Sequence, residues 1–253
     1  MNKNYVAQYH RLETTHWWFL IRQKIITQVL KKYIPRQKDS LKILNAGAAS
    51  GASLHWLSLF GEVISVENDP VFLDFLLSEK IPVIKASVTA LPFDDDSFDL
   101  VCALDVLEHV AGDTKAMAEL IRVCKPGGKI CITVPACQSL WSVHDEVNNH
   151  FRRYSKSEII NLIDKKKNKL LYSTYFNTIL FPVIFIVRKM EKLFRKKDNK
   201  EKSDFDYYKT NRWLSDGLKK IFGLEVFLLR FVKFPFGVSL LTLIEKGNNS
   251  TTC

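Results

Sequence analysis

Leu41-Lys42-Ile43-Leu44-Asn45-Ala46-Gly47-Ala48-Ala49-Ser50-Gly51 reads as a short buried strand that breaks into a turn of small residues. An amphipathic stretch follows, with Leu54, Trp56, Leu57 and Phe60 at helical spacing, so a helix is expected from residue 51 to residue 60. Strand, small-residue turn and helix together form the opening unit of a nucleotide-binding fold. Small residues let the backbone approach a ligand closely, and the helix N-terminus presents free N–H groups to it. A βα unit also needs such a turn for packing alone, so the turn by itself leaves both readings open.

The segments downstream repeat the alternation. A second strand, 63–66, ends at Glu67 and is followed by Asn68-Asp69-Pro70. An acidic residue at this point, about 20 residues after the glycine turn, occupies the ribose-hydroxyl position of dinucleotide-type sites. Pro70 suits the first turn of the next helix. A third strand is expected at 83–86 and a fourth at 100–104, with Asp105 at the carboxyl end where open α/β sheets hold ligands. Between them, Asp94-Asp95-Asp96-Ser97 offers acidic groups to a metal but reads more simply as a polar turn. A helix over 113–124 stops at Lys125-Pro126-Gly127-Gly128, and a fifth strand covers 129–134. Short connections between alternating strands and helices give a doubly wound parallel sheet, an α/β fold with helices on both faces. Upstream, 5–34 reads as one helix ended by Pro35. Its adjacent Trp17 and Trp18 cannot share one core direction, so one of them either covers a ligand or meets a neighbouring element.

With 253 residues, 47% of them hydrophobic, the chain suits a single domain with a substantial core. Residues 1–36 would cap it, 41–155 would bind a cofactor, 176–206 would form an apolar-basic helical insertion, and 207–247 would supply a final helix and strand. The five cysteines show no Cys-x-x-Cys or Cys/His ligand spacing, so neither disulfides nor a metal are indicated. The first residues carry no apolar signal core, and a cytoplasmic location is expected. Residues 1–160 hold 18 Lys/Arg against 18 Asp/Glu, whereas the remainder holds 19 against 9, so the net charge of +10 lies in the last third. That asymmetry suits an anionic substrate, a membrane surface or a solvated helix face. No nucleic-acid recognition module accompanies it, so no nucleic-acid partner is expected. The apolar run 179–187 is too short to span a bilayer and passes into the basic stretch 188–197. Such a segment reads as a lid over a substrate pocket, with or without peripheral contact at the inner face of a membrane. No motif fixes an oligomeric state.

Five ordered motifs resemble those of class I S-adenosylmethionine-dependent methyltransferases. They are Asn45-Ala46-Gly47-Ala48-Ala49-Ser50-Gly51, Val66-Glu67-Asn68-Asp69-Pro70, the stretch from Ala90-Leu91-Pro92-Phe93 to Ser97-Phe98-Asp99, Asp105-Val106-Leu107-Glu108-His109-Val110, and Lys125-Pro126-Gly127-Gly128. Leu140-Trp141-Ser142-Val143-His144-Asp145 and His150-Phe151-Arg152-Arg153-Tyr154 are similar to a subgroup of that family. The resemblance implies a seven-stranded Rossmann-like sheet whose last strand, 237–245, is antiparallel. It implies S-adenosylmethionine as cofactor, with Gly47, Ala48, Ala49 and Gly51 on its methionine and ribose side. Glu67 would take the ribose hydroxyls, Ser87 and Val88 would edge the adenine, and Asp105 would lie near the cofactor amino group or the loop backbone. Asn45, Asn68 and Val106 complete the implied cofactor set. Three positions depart from the family pattern: Asn45 and Ser87 replace acids, and Ala49 replaces a glycine. Each costs on the order of 1 kcal/mol, enough to weaken binding without abolishing it.

The implied activity is methyl transfer to a small-molecule, glycan or lipid-linked acceptor, at oxygen. The alternative is a cofactor-binding, non-catalytic scaffold or regulatory protein of a biosynthetic complex, motivated by the three departures. Methylation of a hydroxyl needs alignment, exclusion of water and removal of a proton. The candidates follow strand five: His144, Asp145, His150, Arg152, Arg153 and Tyr154. His144 or His150 would serve as base, because imidazole titrates near neutrality. Arg152 or Arg153 would hold a phosphate or carboxylate by a fork contact. The competing reading makes Asp145 and Arg153 a structural ion pair and the histidines loop residues. His109 reads as structural or cofactor-side.

Overall fold

The computed structural model describes residues 3–34, 40–194 and 212–248. Seven strands form one sheet: β1 (Leu41–Ala46), β2 (Gly61–Glu67), β3 (Ile84–Lys85), β4 (Phe98–Leu104), β5 (Cys124–Pro135), β6 (Asn168–Phe176) and β7 (Ser239–Lys246). Their spatial order is β3-β2-β1-β4-β5-β7-β6. Every neighbouring pair is parallel except those of β7, which runs antiparallel to both β5 and β6. The expected mixed Rossmann-like sheet is therefore present. The order reverses between β1 and β4, so a crevice opens at the carboxyl ends of these strands, where ligands of such sheets bind.

Helices cover both faces: α1 (Lys3–Thr15), α2 (Trp17–Tyr33), α3 (Ala52–Leu57), α4 (Pro70–Ser78), α5 (Asp113–Val123), α6 (Val143–Val147), α7 (Lys156–Asn161), α8 (Phe181–Phe194) and α9 (Arg212–Leu228). Strand residues alternate between two cores, as a period of two requires. Leu44, Val101, Ala103 and Ile130 pack on one side with Met117 and Leu120 of α5. Ile43, Leu100, Cys102 and Cys131 pack on the other with Ile25, Ile26 and Leu30 of α2 and Phe222 of α9.

Several details differ from the sequence reading; among them, β5 begins at Cys124, so the Lys125–Gly128 stretch read as a stop belongs to the strand. The single helix expected over 5–34 is two helices, α1 and α2, separated at His16. His16 is extended (φ −75°, ψ 136°), and its ring accepts from the Trp18 N–H. The hydroxyls of Thr14 and Thr15 bond back to the carbonyls of His10 and Arg11, a local competition that favours ending α1 there. The break re-aims the next turn: Trp17 meets Phe222 edge-on, and the Arg22 guanidinium lies 5.8 Å from the Trp18 ring centre. Pro35, expected as the stop, lies outside the described residues. Helix α3 is shorter than expected, because the chain turns at 58–60 to enter β2 at Gly61, where a Cβ would lie 2.1 Å from the Leu41 carbonyl oxygen. β3 is reduced to two residues. Within 207–247, the expected final helix is α9, which runs to Leu228; residues 207–211, like 198–206, lie outside the described residues.

The acidic run after Phe93 is a turn, with Asp95 paired to Arg122 (2.8 Å) and Asp96 to Lys246 (2.7 Å). Two buried carboxylates fasten the loops around the crevice. Glu225 of α9 accepts the backbone N–H of Asn177 and of Ile179, each at 2.7 Å, and so ties α9 to the turn between β6 and α8. Asp145 of α6 accepts from Arg153 Nε (2.8 Å), the His150 ring (2.9 Å) and Ser142 N (2.9 Å).

Candidate active site

β1 ends in a loop that β2 holds in place. The N–H groups of Gly47 and Ala48 both donate to the Val66 carbonyl at 2.9 Å. Gly47 has φ +83°, and a Cβ there would lie 2.5 Å from a Val106 methyl, so only glycine fits. Ala49 also occupies the left-handed region (φ 46°), at a cost of about 1 kcal/mol for an L residue. Its N–H donates to Glu67 Oε2 at 2.8 Å, which offsets that cost. The other Glu67 oxygen accepts from the N–H of Asn68 (2.7 Å) and of Asp69 (2.8 Å). The carboxylate at the end of β2 is thereby fixed in place against the glycine turn.

A cavity of about 1040 Å³ opens beside this clasp. Of the residues implied as cofactor ligands, Gly47, Ala49, Glu67, Asn68, Ser87, Val88, Asp105 and Val106 line it, whereas Asn45, Ala48 and Gly51 do not. Asn45 is wholly buried and donates to Ser53 Oγ (3.0 Å) and Ser65 Oγ (3.3 Å), so it braces the loop from behind. A Cβ on Gly51 would lie 2.9 Å from Leu76, so this glycine serves the packing of the turn on α4. Asp105 takes a left-handed conformation (φ 58°). Its carboxylate receives Arg22 Nη2 and Thr133 Oγ1, each at 2.9 Å, which links the crevice to α2.

The N-terminal helices close one side, with Tyr9, Glu13, Trp17, Trp18 and Arg22 facing the cavity. The Ser50 hydroxyl donates to the Glu13 carboxylate, and the His10 ring contacts the Ser50 carbonyl at 3.0 Å. Burial pushes the Glu13 carboxyl up to about 7, against the opposing pull of Ser50 and Arg22.

A wall of histidines stands opposite. His109 ends a single 3-10 turn (Leu107–His109), and its ring meets that of His150 edge-on with centres 4.6 Å apart. His109 is exposed to the cavity, and desolvation there, helped by His150, pushes it down to about 4. Glu108 beside it is 1% exposed, and neither carboxylate oxygen has a hydrogen-bond partner in the protein. Burial and the charge of Asp105 push the Glu108 carboxyl well above its usual range. His144, His150 and Arg153 line the cavity; Asp145 is fully buried and does not. Burial acts to raise the Asp145 carboxyl, but His150 and Arg153 outweigh it and hold it well below the usual carboxylate range. Asp145 is thus corrected from a group that meets substrate to one that positions His150 and Arg153. Arg152 is spent on Asp113 (2.5 Å) and the Ala111 carbonyl (3.0 Å), which leaves it turned from the cavity. Tyr154 donates toward Asp113 (3.0 Å). Sequence reasoning missed Glu13 and Arg22, and it quoted Glu108 within a motif without assigning it a role. No local pattern marks them, because each acquires its meaning from a partner distant in the chain.

Residues 44–132 match the methyltransferase-domain family model. An uncharacterized protein of Methanocaldococcus jannaschii is 30% identical over 187 residues, covering 68% of this chain and 80% of that protein. The chain belongs to the class I S-adenosylmethionine-dependent methyltransferases. A demethylmenaquinone methyltransferase of Clavibacter sepedonicus is 35% identical over 97 residues, which cover 36% of this methyltransferase and 40% of the relative. A solved structure from Galdieria sulphuraria, assigned as a sarcosine dimethylglycine methyltransferase, shares the fold with a TM-score of 0.59 at 18% identity. It covers 90% of this chain and 86% of its own.

The residues present fit S-adenosylmethionine: the Gly47 cradle excludes any Cβ, and the Glu67 carboxylate stands at its rim. Bound there, the cofactor supplies a methyl group activated on a sulfonium.

Glu13 yields a pH prediction. Its carboxyl is raised in the folded state from 4.5 to about 7, so the folded protein binds more protons than the unfolded chain between these values. The stability that this group contributes is complete below pH 4.5 and is lost as pH rises through 7. Unfolding free energies of the native protein and of Glu13→Gln, measured against pH, are expected to differ by an amount that shifts steadily across that window. A difference that stays constant across it contradicts the assignment.

Proposed function

We propose that this methyltransferase alkylates a hydroxyl oxygen on a small-molecule, glycan or lipid-linked acceptor that carries an apolar portion. The observation that carries the reading is the mixed lining of the cavity. Leu180 and, from α8, Val183, Ile184 and Val187 give it apolar surface beside Arg188 and Glu191, and His109, His144 and His150 give it imidazoles. An acceptor with an apolar body and a hydroxyl group matches that lining. The demethylmenaquinone methyltransferase relative acts, by its name, on demethylmenaquinone.

The chain's own residues supply three functions in this reading. The clasp of Glu67 on the Ala49 N–H sets the position of the methyl donor. Trp17, Trp18 and α8 exclude water from the transfer. His144, which lines the cavity, removes the hydroxyl proton, while the hydrogen bond from one nitrogen of His150 to Asp145 orients that ring within the wall. Arg153 holds Asp145 and the Ala136 carbonyl (3.2 Å), so it shapes the wall instead of clamping an anion.

Extracts of polar and of lipid-linked metabolites, incubated with methyl-labelled S-adenosylmethionine, are expected to yield a labelled product stable to mild base, as an ether is. His144→Ala is expected to slow its formation by roughly 10²–10⁴-fold while cofactor binding persists. Label released by mild base, or carried on nitrogen, overturns the hydroxyl reading; undiminished transfer by His144→Ala overturns the role of that histidine.

The surface of α8 supports peripheral membrane contact for the lipid-linked form of this acceptor. Val183, Ile186, Met190 and Leu193 are exposed beside Lys189. Among the described residues no helix is long and apolar enough to cross a membrane. The protein is expected to float with anionic vesicles and to stay behind when Ile186→Glu and Met190→Glu are combined. Absence of the native protein from the vesicle fraction leaves α8 a lid alone.

A further inference from the structure

The orphaned carboxylate of Glu108 requires an explanation, because a buried, unpaired carboxylate is costly. The nearest guanidinium groups are engaged elsewhere: Arg22 holds Asp105 at 2.9 Å and Arg153 holds Asp145 at 2.8 Å. Two imidazoles face it instead. One ligand atom from each of Glu108, His109 and His150 lies within 4.8 Å of the other two. Bonds of about 2.0–2.2 Å place the ligands of one tetrahedral ion about 3.4 Å apart, so side-chain rotations that move these atoms by about 1 Å bring the three together.

The surroundings already orient these groups. The His150 Nδ1–H donates to the ionised Asp145, which turns Nε2 away from α6 and leaves its lone pair available. A carboxylate behind a ligating histidine is the usual support of a metal-bound imidazole. His109 is hydrogen-bonded to the Asn148 backbone. The Phe151 N–H donates to the Glu108 carbonyl at 2.7 Å, which pins the loop bearing His150 onto the turn bearing Glu108 and His109. The ligand spacing that is missing from the linear sequence is thus supplied by the fold. All three residues line the methyl-transfer cavity.

We infer that Glu108, His109 and His150 bind one divalent first-row metal ion in the wall of that cavity, with an open position facing the acceptor. Two imidazoles and a carboxylate suit zinc or cobalt(II), and three protein ligands leave room for a further oxygen. The role of the ion rests on the hydroxyl-acceptor reading above. The acceptor's hydroxyl oxygen occupies the open position, and the positive charge lowers the free energy of removing its proton. The proton passes to His144. The oxygen's electron pair forms the new O–CH3 bond while the CH3–S bond breaks, its pair returning to sulfur as a neutral thioether. No electron is gained or lost by the ion.

The test is a calorimetric titration of chelator-treated full-length protein with zinc alone and, separately, with cobalt(II) while its visible d–d absorption is followed. One equivalent is expected to bind. Glu108→Gln, which conserves shape, is expected to weaken binding at least tenfold, as is His150→Ala. Asp145→Asn is expected to weaken it by roughly 10–100-fold through the second ligand shell. Thermal unfolding and S-adenosylmethionine binding of Glu108→Gln establish that this variant is folded. Absence of stoichiometric binding by the native protein overturns the inference, as does equal binding by a Glu108→Gln/His109→Gln double variant. Because no acceptor is present in this titration, its outcome is separate from that of the hydroxyl reading: an ion that binds while label goes to nitrogen overturns only the latter.

Discussion

The clasp between Glu67 and the turn after β1 is the interaction on which the crevice depends. One carboxylate takes the N–H of Ala49 on one side and those of Asn68 and Asp69 on the other. It can do so because β1 and β2 are parallel and in register to their ends, with Ala46 beside Val66. The same register lets the Val66 carbonyl receive both Gly47 and Ala48. An alanine is therefore tolerated at a left-handed position that the family pattern gives to glycine: the strain is local, and a charge-assisted hydrogen bond opposes it.

A second buried carboxylate organises the opposite wall. Asp145 gathers Arg153, His150 and the start of α6 into one fully hydrogen-bonded unit, so the loop after β5 becomes a fixed part of the cavity. Removing one partner of such a unit leaves an uncompensated buried charge, at a cost of about 3–5 kcal/mol. Asp105 performs the equivalent task toward the N-terminal helices through Arg22. The three carboxylates sit at or beyond the ends of β2, β4 and β5, which is why a sheet with this strand order can carry a site there.

The sheet was legible in the sequence because its strands are short apolar runs separated by turn residues, and the motifs fall at strand ends. The antiparallel final strand was legible only through resemblance to the family. The break at His16 was not legible, since the apolar spacing continues through it while the conformation is decided by a ring capping the next helix. Eight of the implied cofactor residues face the cavity; Asn45, Ala48 and Gly51 stand behind it, because a strand and its turn alternate between facing the ligand and packing on the sheet. The pairing of Asp145 with Arg153 was visible as one of two readings, and the structure builds that one. Glu13, Arg22 and Glu108 needed the fold, because their partners lie in other segments of the chain.

Binding of S-adenosylmethionine tests the central claim most directly. Calorimetric titration of the purified protein is expected to give one site. Gly47→Val, which places a branched side chain against Val106 at a left-handed position, is expected to lose affinity by about two orders of magnitude with its fold retained by circular dichroism. A folded native protein that binds neither S-adenosylmethionine nor its demethylated product, or a Gly47→Val variant that binds as well as the native chain, contradicts the account.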